Sequence, residues 1–441
     1  LEDVRIKVPL LALPIIVGAS LPLEKIHFKF LGLLLLSATA ASVLWPFLGT
    51  WFGYFESLPT GRSFARFDSH IRTSLLIILC LTWCTAIWRS SKLWMRIWML
   101  CASLILMIAL FLMQSFTGLG LLILLSIFWY YAKVRNLHPI SLRWVAFGVL
   151  PFLLAIVLIP VGAEWRYFLK DANQQILYTH TAGGRLFTHY PELTERENGN
   201  TVWVNINDQE AETAWKKRSN IAFYERGHSG QIIRATLYRY LSSKGLTKDS
   251  ASVAALSNSE IALIEGGATN YRFGNHTGYR SRIYSVFWEL DKYLTSKENP
   301  ESNSLAQRFE FWKTAGFLFV EHPIFGVGTG DIMEEMKAEY ETSGSQLSAR
   351  YRLRPHNKFL TTAASFGLFG LLYFLAVWLV PLFAIRNRPW VCVAFWVIAV
   401  ASMVFEDTLE TQLGATFISL FYALLLGFPF RNSEDSKPFP D

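Results

Sequence analysis

Residues 93–113 read LWMRIWMLCASLILMIALFLM, and this run decides the fold. It carries one charge, Arg96, over a length that matches the about 20 apolar residues a membrane-spanning helix requires. Outward from it, residues 30–52, 144–162, 359–385 and 412–430 meet or nearly meet that length. Residues 70–88, 117–132 and 389–404 are shorter apolar runs flanked by basic residues, as suits packed helices in a bundle. The stretch 9–22, short and interrupted by Pro9, Pro14 and Pro22, completes a set of nine. Composition agrees: 52% of residues are hydrophobic and only 17% charged, so water is not the only solvent this surface meets. The expectation is an all-α polytopic membrane protein with nine or more spans and one long, mostly helical external loop. Its segments are 1–162 (N-terminal helices), 163–357 (loop subdomain), 358–430 (C-terminal helices) and 431–441 (tail).

Basic residues in short loops mark the cytoplasmic side. Arg89, Lys92 and Arg96, then Lys133, Arg135 and Arg143, then Arg386 and Arg388, and finally Arg431 are separated by even numbers of crossings. One orientation satisfies them all. It puts the long loop outside, together with the acidic Glu406–Glu410 turn and the 53–72 loop with Arg62, Arg66 and Arg72. That loop is either tolerated noise or a basic patch kept for an anionic ligand. The same topology leaves Leu1 outside; with no signal-peptide pattern in the first 20 residues, a missing upstream helix is expected. The net charge of +7 is partly this topology and partly an arginine excess in the external loop. The apolar spans argue against a nucleic-acid partner, and a phosphate-bearing lipid suits the charge better.

Cys80, Cys84, Cys101 and Cys392 all lie within spans, so the loop has no disulfide; without a neighbouring His or further Cys they read as packing residues. The loop, about 195 residues from Val161 to Pro355, is far too long for a simple connection and implies a folded subdomain. Within it, 201–207 alternates like a short strand, and 208–218, 231–241, 282–294 and 304–320 carry helical spacing. Ser257-Asn-Ser-Glu260 is a capping box that opens a helix ended by Gly266-Gly267.

Three features of the loop are chemical candidates. Arg308 and Trp312 are one helical turn apart, close enough for ring and guanidinium to stack. Gly326, Gly328 and Gly330 punctuate a turn after His322-Pro323. Arg350, Arg352 and Arg354 alternate up to His356-Asn357, just before a span. Each has a plain alternative: a solvated or ion-paired arginine, a tight turn that is no phosphate loop, and a histidine that anchors the next helix. Together they suit transfer from a lipid diphosphate. Arginine stays charged at working pH and grips phosphate oxygens, and an imidazole of pKa about 6.5 serves as base near neutrality. No metal-ligand spacing is present, so the chemistry expected is metal-independent, with no cofactor.

The run Arg308-Phe-Glu-Phe-Trp312, His322-Pro323, Gly326-Val-Gly-Thr-Gly330, Pro355-His356-Asn357 and Gly367-Leu-Phe-Gly370 resembles the O-antigen ligase/Wzy-type polymerase family over 303–430. Glu406-Asp-Thr-Leu-Glu-Thr-Gln412 resembles a family turn, and Tyr279-Arg-Ser-Arg282 an upstream arginine segment. Gln114-Ser-Phe-Thr-Gly118 resembles a Ser-Arg-Thr-Gly motif, with Phe116 in place of the arginine. The resemblance implies a GT-C-like, inverting glycosyltransferase of the bacterial inner membrane, with its loop in the periplasm and its catalytic part at 280–357. Such enzymes move a glycan from undecaprenyl diphosphate to lipid A–core or another acceptor. Carried over, Arg308 and Arg282 bind the diphosphate and His356 orients or deprotonates the acceptor, with Arg280 the alternative to Arg282. Trp312, Gly326, Gly328, Gly330, Arg354, Asn357 and Glu406 are the expected substrate-binding residues. Ligase is the preferred reading; polymerase and protein O-oligosaccharyltransferase use overlapping motifs, and a flippase for the same lipid is the alternative of another class.

Overall fold

The computed structural model describes residues 2–20, 24–55, 64–67, 69–134, 155, 158–166, 168, 176–193, 195–273, 279–295, 300–302, 304–385 and 389–427. Most of the expected crossing at 144–162 lies outside these, as do Arg62, Arg135, Arg143, Arg386, Arg388, Arg431 and the tail. The chain divides into two compact units, Leu1–Phe147 with Arg308–Asp441, and Gly148–Gln307. The long loop is therefore split, with its last part, from Arg308, belonging to the unit of apolar helices.

That first unit holds α1 (Glu2–Ala19), α2 (Lys25–Trp51), α3 (His70–Ile87), α4 (Leu93–Leu112) and α5 (Phe116–Val134). Among the described residues four helices are long and apolar enough to cross a membrane: Ile26–Trp51, His70–Ile87, Leu93–Leu112 and Lys358–Phe383. Helix α3 is the hub, with Ile77, Ile78, Leu79, Cys80 and Trp83 fully enclosed. Trp83 stacks on Phe28 at 4.8 Å and meets Phe421 edge-on at 5.7 Å. Gly32 makes room for it, since a Cβ there would collide with the indole. By contrast α4 leaves Trp94, Leu100, Leu104, Ile108 and Phe111 exposed along one side. In water so long an apolar face would be a liability, and in a bilayer it is the ordinary outer surface of a span. Helix α1 runs through Pro9 and Pro14, and Ser419 donates to the Pro9 carbonyl at 2.7 Å, so the expected 9–22 stretch is helical as far as Ala19; Leu21 and Pro22 lie outside the described residues.

The second unit has a core of its own around Trp215, Phe223, Leu237, Tyr238, Tyr240 and Ile264. It contains a two-residue hairpin, β1 (Arg196–Glu197) and β2 (Asn200–Thr201), and helices α6 (Asp208–Lys216), α7 (Ile233–Ser243), α8 (Ser250–Ala254), α9 (Asn258–Glu265) and α10 (Tyr279–Thr295). The strand expected at 201–207 shrinks to its first residue. Val202, Val204 and Ile206 turn inward as the alternation implied, but backbone bonds pass to Glu195, Thr188 and Lys248 instead of one ladder. The capping box at Ser257 is present, and Gly266 ends that helix.

The remaining helices return to the first unit: α11 (Ser304–Glu321), α12 (Ile332–Thr342), α13 (Lys358–Ile385), α14 (Trp390–Phe405) and α15 (Gln412–Tyr422). Helix α13 is broken at Gly367, whose φ of 64° only glycine adopts readily. The break frees backbone groups that the glycine turn satisfies: Val327 N–H bonds Ala364 O at 3.0 Å, Gly328 N–H bonds Ser365 O at 2.8 Å, and Leu368 N–H bonds Pro323 O at 2.8 Å. Two glycines, Gly326 and Gly367, let these backbones touch, because a Cβ on either would strike the opposite main chain.

Candidate functional site

Five chain segments bring charge together in the first unit: α1, α3, α11, residues 354–358 and the 406–410 turn. The five residues 354–358 are each tied down. Arg354 donates to Glu410 at 2.8 Å, and Lys358 pairs with the other oxygen of the same carboxylate. The Pro355 carbonyl accepts the Trp312 indole N–H at 3.0 Å. Asn357 caps α13, its side chain accepting the Phe359 and Leu360 N–H groups at 3.0 and 3.2 Å. His356 sits between these anchors at φ 50°, a left-handed conformation that costs a non-glycine residue of order 1–3 kcal/mol and persists where its surroundings enforce it.

What enforces it is Asp407. Its Oδ2 accepts the His356 backbone N–H at 3.2 Å and lies 3.2 Å from the ring Nδ1. The carboxylate thus fixes the ring and places the proton on Nδ1, leaving Nε2 as an acceptor. The side chain is 36% exposed, so a substrate hydroxyl can reach it. Phe311 packs on the ring at 5.7 Å. The second oxygen of Asp407, Oδ1, is buried with no hydrogen-bond partner among the described residues.

The neighbouring residue, Glu406, ends α14 and lies between two guanidinium groups. Arg72, from the first turn of α3, is 3.7 Å from one oxygen, and Arg308, on α11, is 3.9 Å from the other. Burial pushes the Glu406 carboxyl above the usual range; Arg72, Arg308 and His356 pull it back, and Asp407 adds to the rise. Glu410 behaves oppositely. Burial opposes its ionisation too, yet Lys358, Lys7 and Arg354 hold it below the usual range. Lys7 reaches it from α1 at 3.4 Å.

Of the residues expected from sequence, the structure gathers Arg308, Trp312, Arg354, His356, Asn357 and Glu406 here. Trp312 does not stack on Arg308: its indole is engaged by Pro355, and Arg308 turns to Glu406. Gly326 makes the close backbone approach already described, and a Cβ on Gly330 would meet open space. Gly328 has φ 94° in the same turn. Arg280 and Arg282 belong to the second unit. There Arg280 and Arg272 share the buried carboxylate of Glu164 at 3.0 and 3.1 Å, whereas Arg282 has no ion pair among the described residues. Asp407, Glu410, Lys7 and Lys358 were not anticipated. The signal is the acidic 406–410 turn, of which the sequence pattern singles out Glu406 alone. Arg72 is legible as one of three basic residues on the wrong side of a charge rule, read either as noise or as a basic patch for an anionic ligand. Phe116 occupies the arginine position of its motif, but Ser115 beside it meets Ser74 on the helix that carries Arg72, Oγ to Oγ at 3.0 Å.

With this geometry in view, the stretch 268–375 matches a family model described as O-antigen ligase. The chain carries an O-antigen ligase family domain. No curated protein matches the chain. The matched stretch includes Arg280, Arg282, Arg308, Trp312, the three glycines, Arg354, His356 and Asn357. It stops short of Glu406, Asp407 and Glu410, and does not reach back to Arg72. The apolar helices and the family match together support a membrane protein. Among the described residues no three His, Cys, Asp or Glu side chains are grouped to hold a metal ion.

Proposed function

We propose that the protein is a membrane glycosyltransferase that moves a glycan from undecaprenyl diphosphate to an acceptor hydroxyl at the periplasmic face of the inner membrane, with lipid A–core as the acceptor. The observation that carries this reading is the His356–Asp407 pair one residue from a carboxylate shared by Arg72 and Arg308. An aspartate-oriented imidazole is a general base, and guanidinium groups stabilise a leaving diphosphate. The acceptor O–H gives its proton to His356 Nε2 while its oxygen bonds to the anomeric carbon. The bond from that carbon to the diphosphate breaks, and the electron pair leaves on the diphosphate oxygen, where Arg308 faces the developing charge. Attack from the side opposite the leaving group inverts the anomeric centre. Because the charge is met by arginine, the step proceeds without a metal ion. Arg282, in the matched stretch, is proposed to serve the same diphosphate.

Gel analysis of lipopolysaccharide from a strain lacking the gene tests the reading. Loss of all polymer from lipid A–core is the expected result. A single repeat unit on the core makes the protein a polymerase. Unchanged lipopolysaccharide rules out lipid A–core as acceptor and moves the search to protein or other glycans. Membranes of that strain that still flip the lipid-linked donor exclude the flippase alternative.

A further inference from the structure

The surface of α13 changes character at its break. Thr361, Thr362, Ala363, Ala364 and Ser365 are buried, whereas Phe366, Leu368, Phe369, Leu372 and Tyr373 are exposed. From Phe366 to Ile385 the helix has the about 20 residues that a crossing needs, a match that sets the hydrocarbon edge at the break. The turn that follows α11 meets α13 at this level, although the charge pattern of the sequence places it outside with the rest of the long loop. Its side chains do not suit water. Phe325 is 76% exposed, and Ile324 and Val320 are exposed too. Phe325 stacks on the exposed Phe369 at 5.9 Å, so the apolar surface of the turn continues that of the span. Irregular backbone at membrane depth needs protein partners. Helix α13 supplies them: the Ala364 and Ser365 carbonyls accept the Val327 and Gly328 N–H groups, and the Leu368 N–H donates to the Pro323 carbonyl. Pro323 itself brings no N–H into the turn.

We propose that Ile324 and Phe325 form a foot that inserts among the lipid acyl chains beside α13, in the leaflet at that helix's N-terminal end. The partner is the bilayer itself, because the exposed apolar surface is shared with a span and sits where that span enters hydrocarbon. The exposed Glu321 and His322, just before the turn, keep to the polar side of that edge. The foot ends α11, the helix that carries Arg308, and thereby sets the height of that arginine above the lipid. This last consequence rests on the lipid-linked donor proposed above, and the insertion does not.

Spin labels on single cysteines test the insertion, with the whole chain reconstituted in vesicles of phosphatidylethanolamine and phosphatidylglycerol. Cys101→Ser removes the exposed native thiol, and Cys80, Cys84 and Cys392 are buried. Labels at Ile324→Cys and Phe325→Cys are expected to collide several-fold more with oxygen, which concentrates in hydrocarbon, than with a water-soluble nickel chelate. A label at Leu372→Cys on α13 should behave in the same way, and one at Glu335→Cys, exposed on α12, in the opposite way. Water-like collisions at 324 and 325 overturn the proposal. So does shielding from both reagents, which means that protein and not lipid covers the turn. Phe325→Asp adds a charge that hydrocarbon expels, so it is expected to raise nickel collisions of the label at Ile324→Cys several-fold. An unchanged label there also overturns the foot. Glycan transfer is not read, so failure of the foot leaves the donor assignment standing.

Discussion

Sheltered carboxylates are handled in two ways: closed by directed partners in the second unit and at Glu410, and more loosely at Glu406 and Asp407 in the first. In the second, Glu197 is fully enclosed and closed off by Arg239 at 2.5 Å and Asn270 at 3.0 Å. Asp208 takes both Arg234 nitrogens at 2.8 and 3.1 Å, plus the Tyr238 hydroxyl at 2.5 Å. Both oxygens of each carboxylate have a directed partner, as a structural charge requires, with Glu197 enclosed and Asp208 half-exposed. In the first unit Glu406 meets its arginines at 3.7 and 3.9 Å, and Asp407 keeps a buried oxygen unbonded. A closed network specifies a fold, and a looser one is where the proposed chemistry is put to the test. The family match sharpens the contrast, since 268–375 crosses from one unit into the other.

The comparison breaks at once if the looser cluster is inert. His356→Ala is expected to lower glycan transfer ~10²–10⁴-fold, the range for loss of a general base, with normal membrane yield. Arg308→Ala follows at ~10²–10³-fold, as for loss of one donor to a developing anion. Transfer assays on membranes of the complemented deletion strain read both, and near-wild-type rates in either would leave the cluster without a catalytic role. Asp407→Asn is milder. The amide can still accept the backbone N–H of His356 but no longer supports a charged ring, so kcat should fall roughly ten- to hundredfold with KM little changed. A rise in KM with unchanged kcat would make Asp407 a substrate contact, and the positioning role would be lost.

Much of this was legible in the residues. Apolar length alone locates α4 and α13, because a bilayer demands about 20 apolar residues whatever their order. The motif around Arg308 and His356 marks the local chain that builds half of the site. The other half was hidden for a physical reason. Asp407 meets His356 across 51 residues of chain and Arg72 meets Glu406 across several hundred, and no spacing in the chain records which helix ends meet. The glycine run shows the converse: its pattern was plain, but its partner is a break in α13 that only the fold discloses. Trp312 likewise had a ring in stacking range of Arg308, and the Pro355 carbonyl, 43 residues on, competed for its indole.

A smaller effect tests the arginines of the second unit. Arg280 is 65% exposed and already committed to Glu164, so Arg280→Ala should leave transfer within a few-fold of wild type, as exposed ion pairs contribute little. Arg282→Ala should cost at least ten times more in the same assay, a charge-assisted contact being worth about that factor. Equal losses would show that the helix Tyr279–Thr295 matters as a body, and that neither guanidinium is special.

The smallest effect on transfer, and the cleanest on stability, belongs to Lys248. It is buried in the second unit with its ammonium nitrogen 3.4 Å from the Thr201 carbonyl, and burial pulls its pKa from the usual 10.5 down to about 7. Between those values the unfolded chain binds a proton that the folded one does not, so stability rises with pH from about 7 to about 10.5 and is flat below. Hydrogen exchange of peptides within 200–265, corrected for intrinsic rates, should therefore show more protection at pH 9.5 than at pH 7.5. Lys248→Met keeps the volume and removes the proton, so it should raise protection at pH 7.5, abolish the slope and leave transfer unchanged. A wild-type unit with no slope would mean that Lys248 stays charged inside, and that this unit too keeps an unsatisfied charge. The division between closed and looser sites would then fail at its better-packed side.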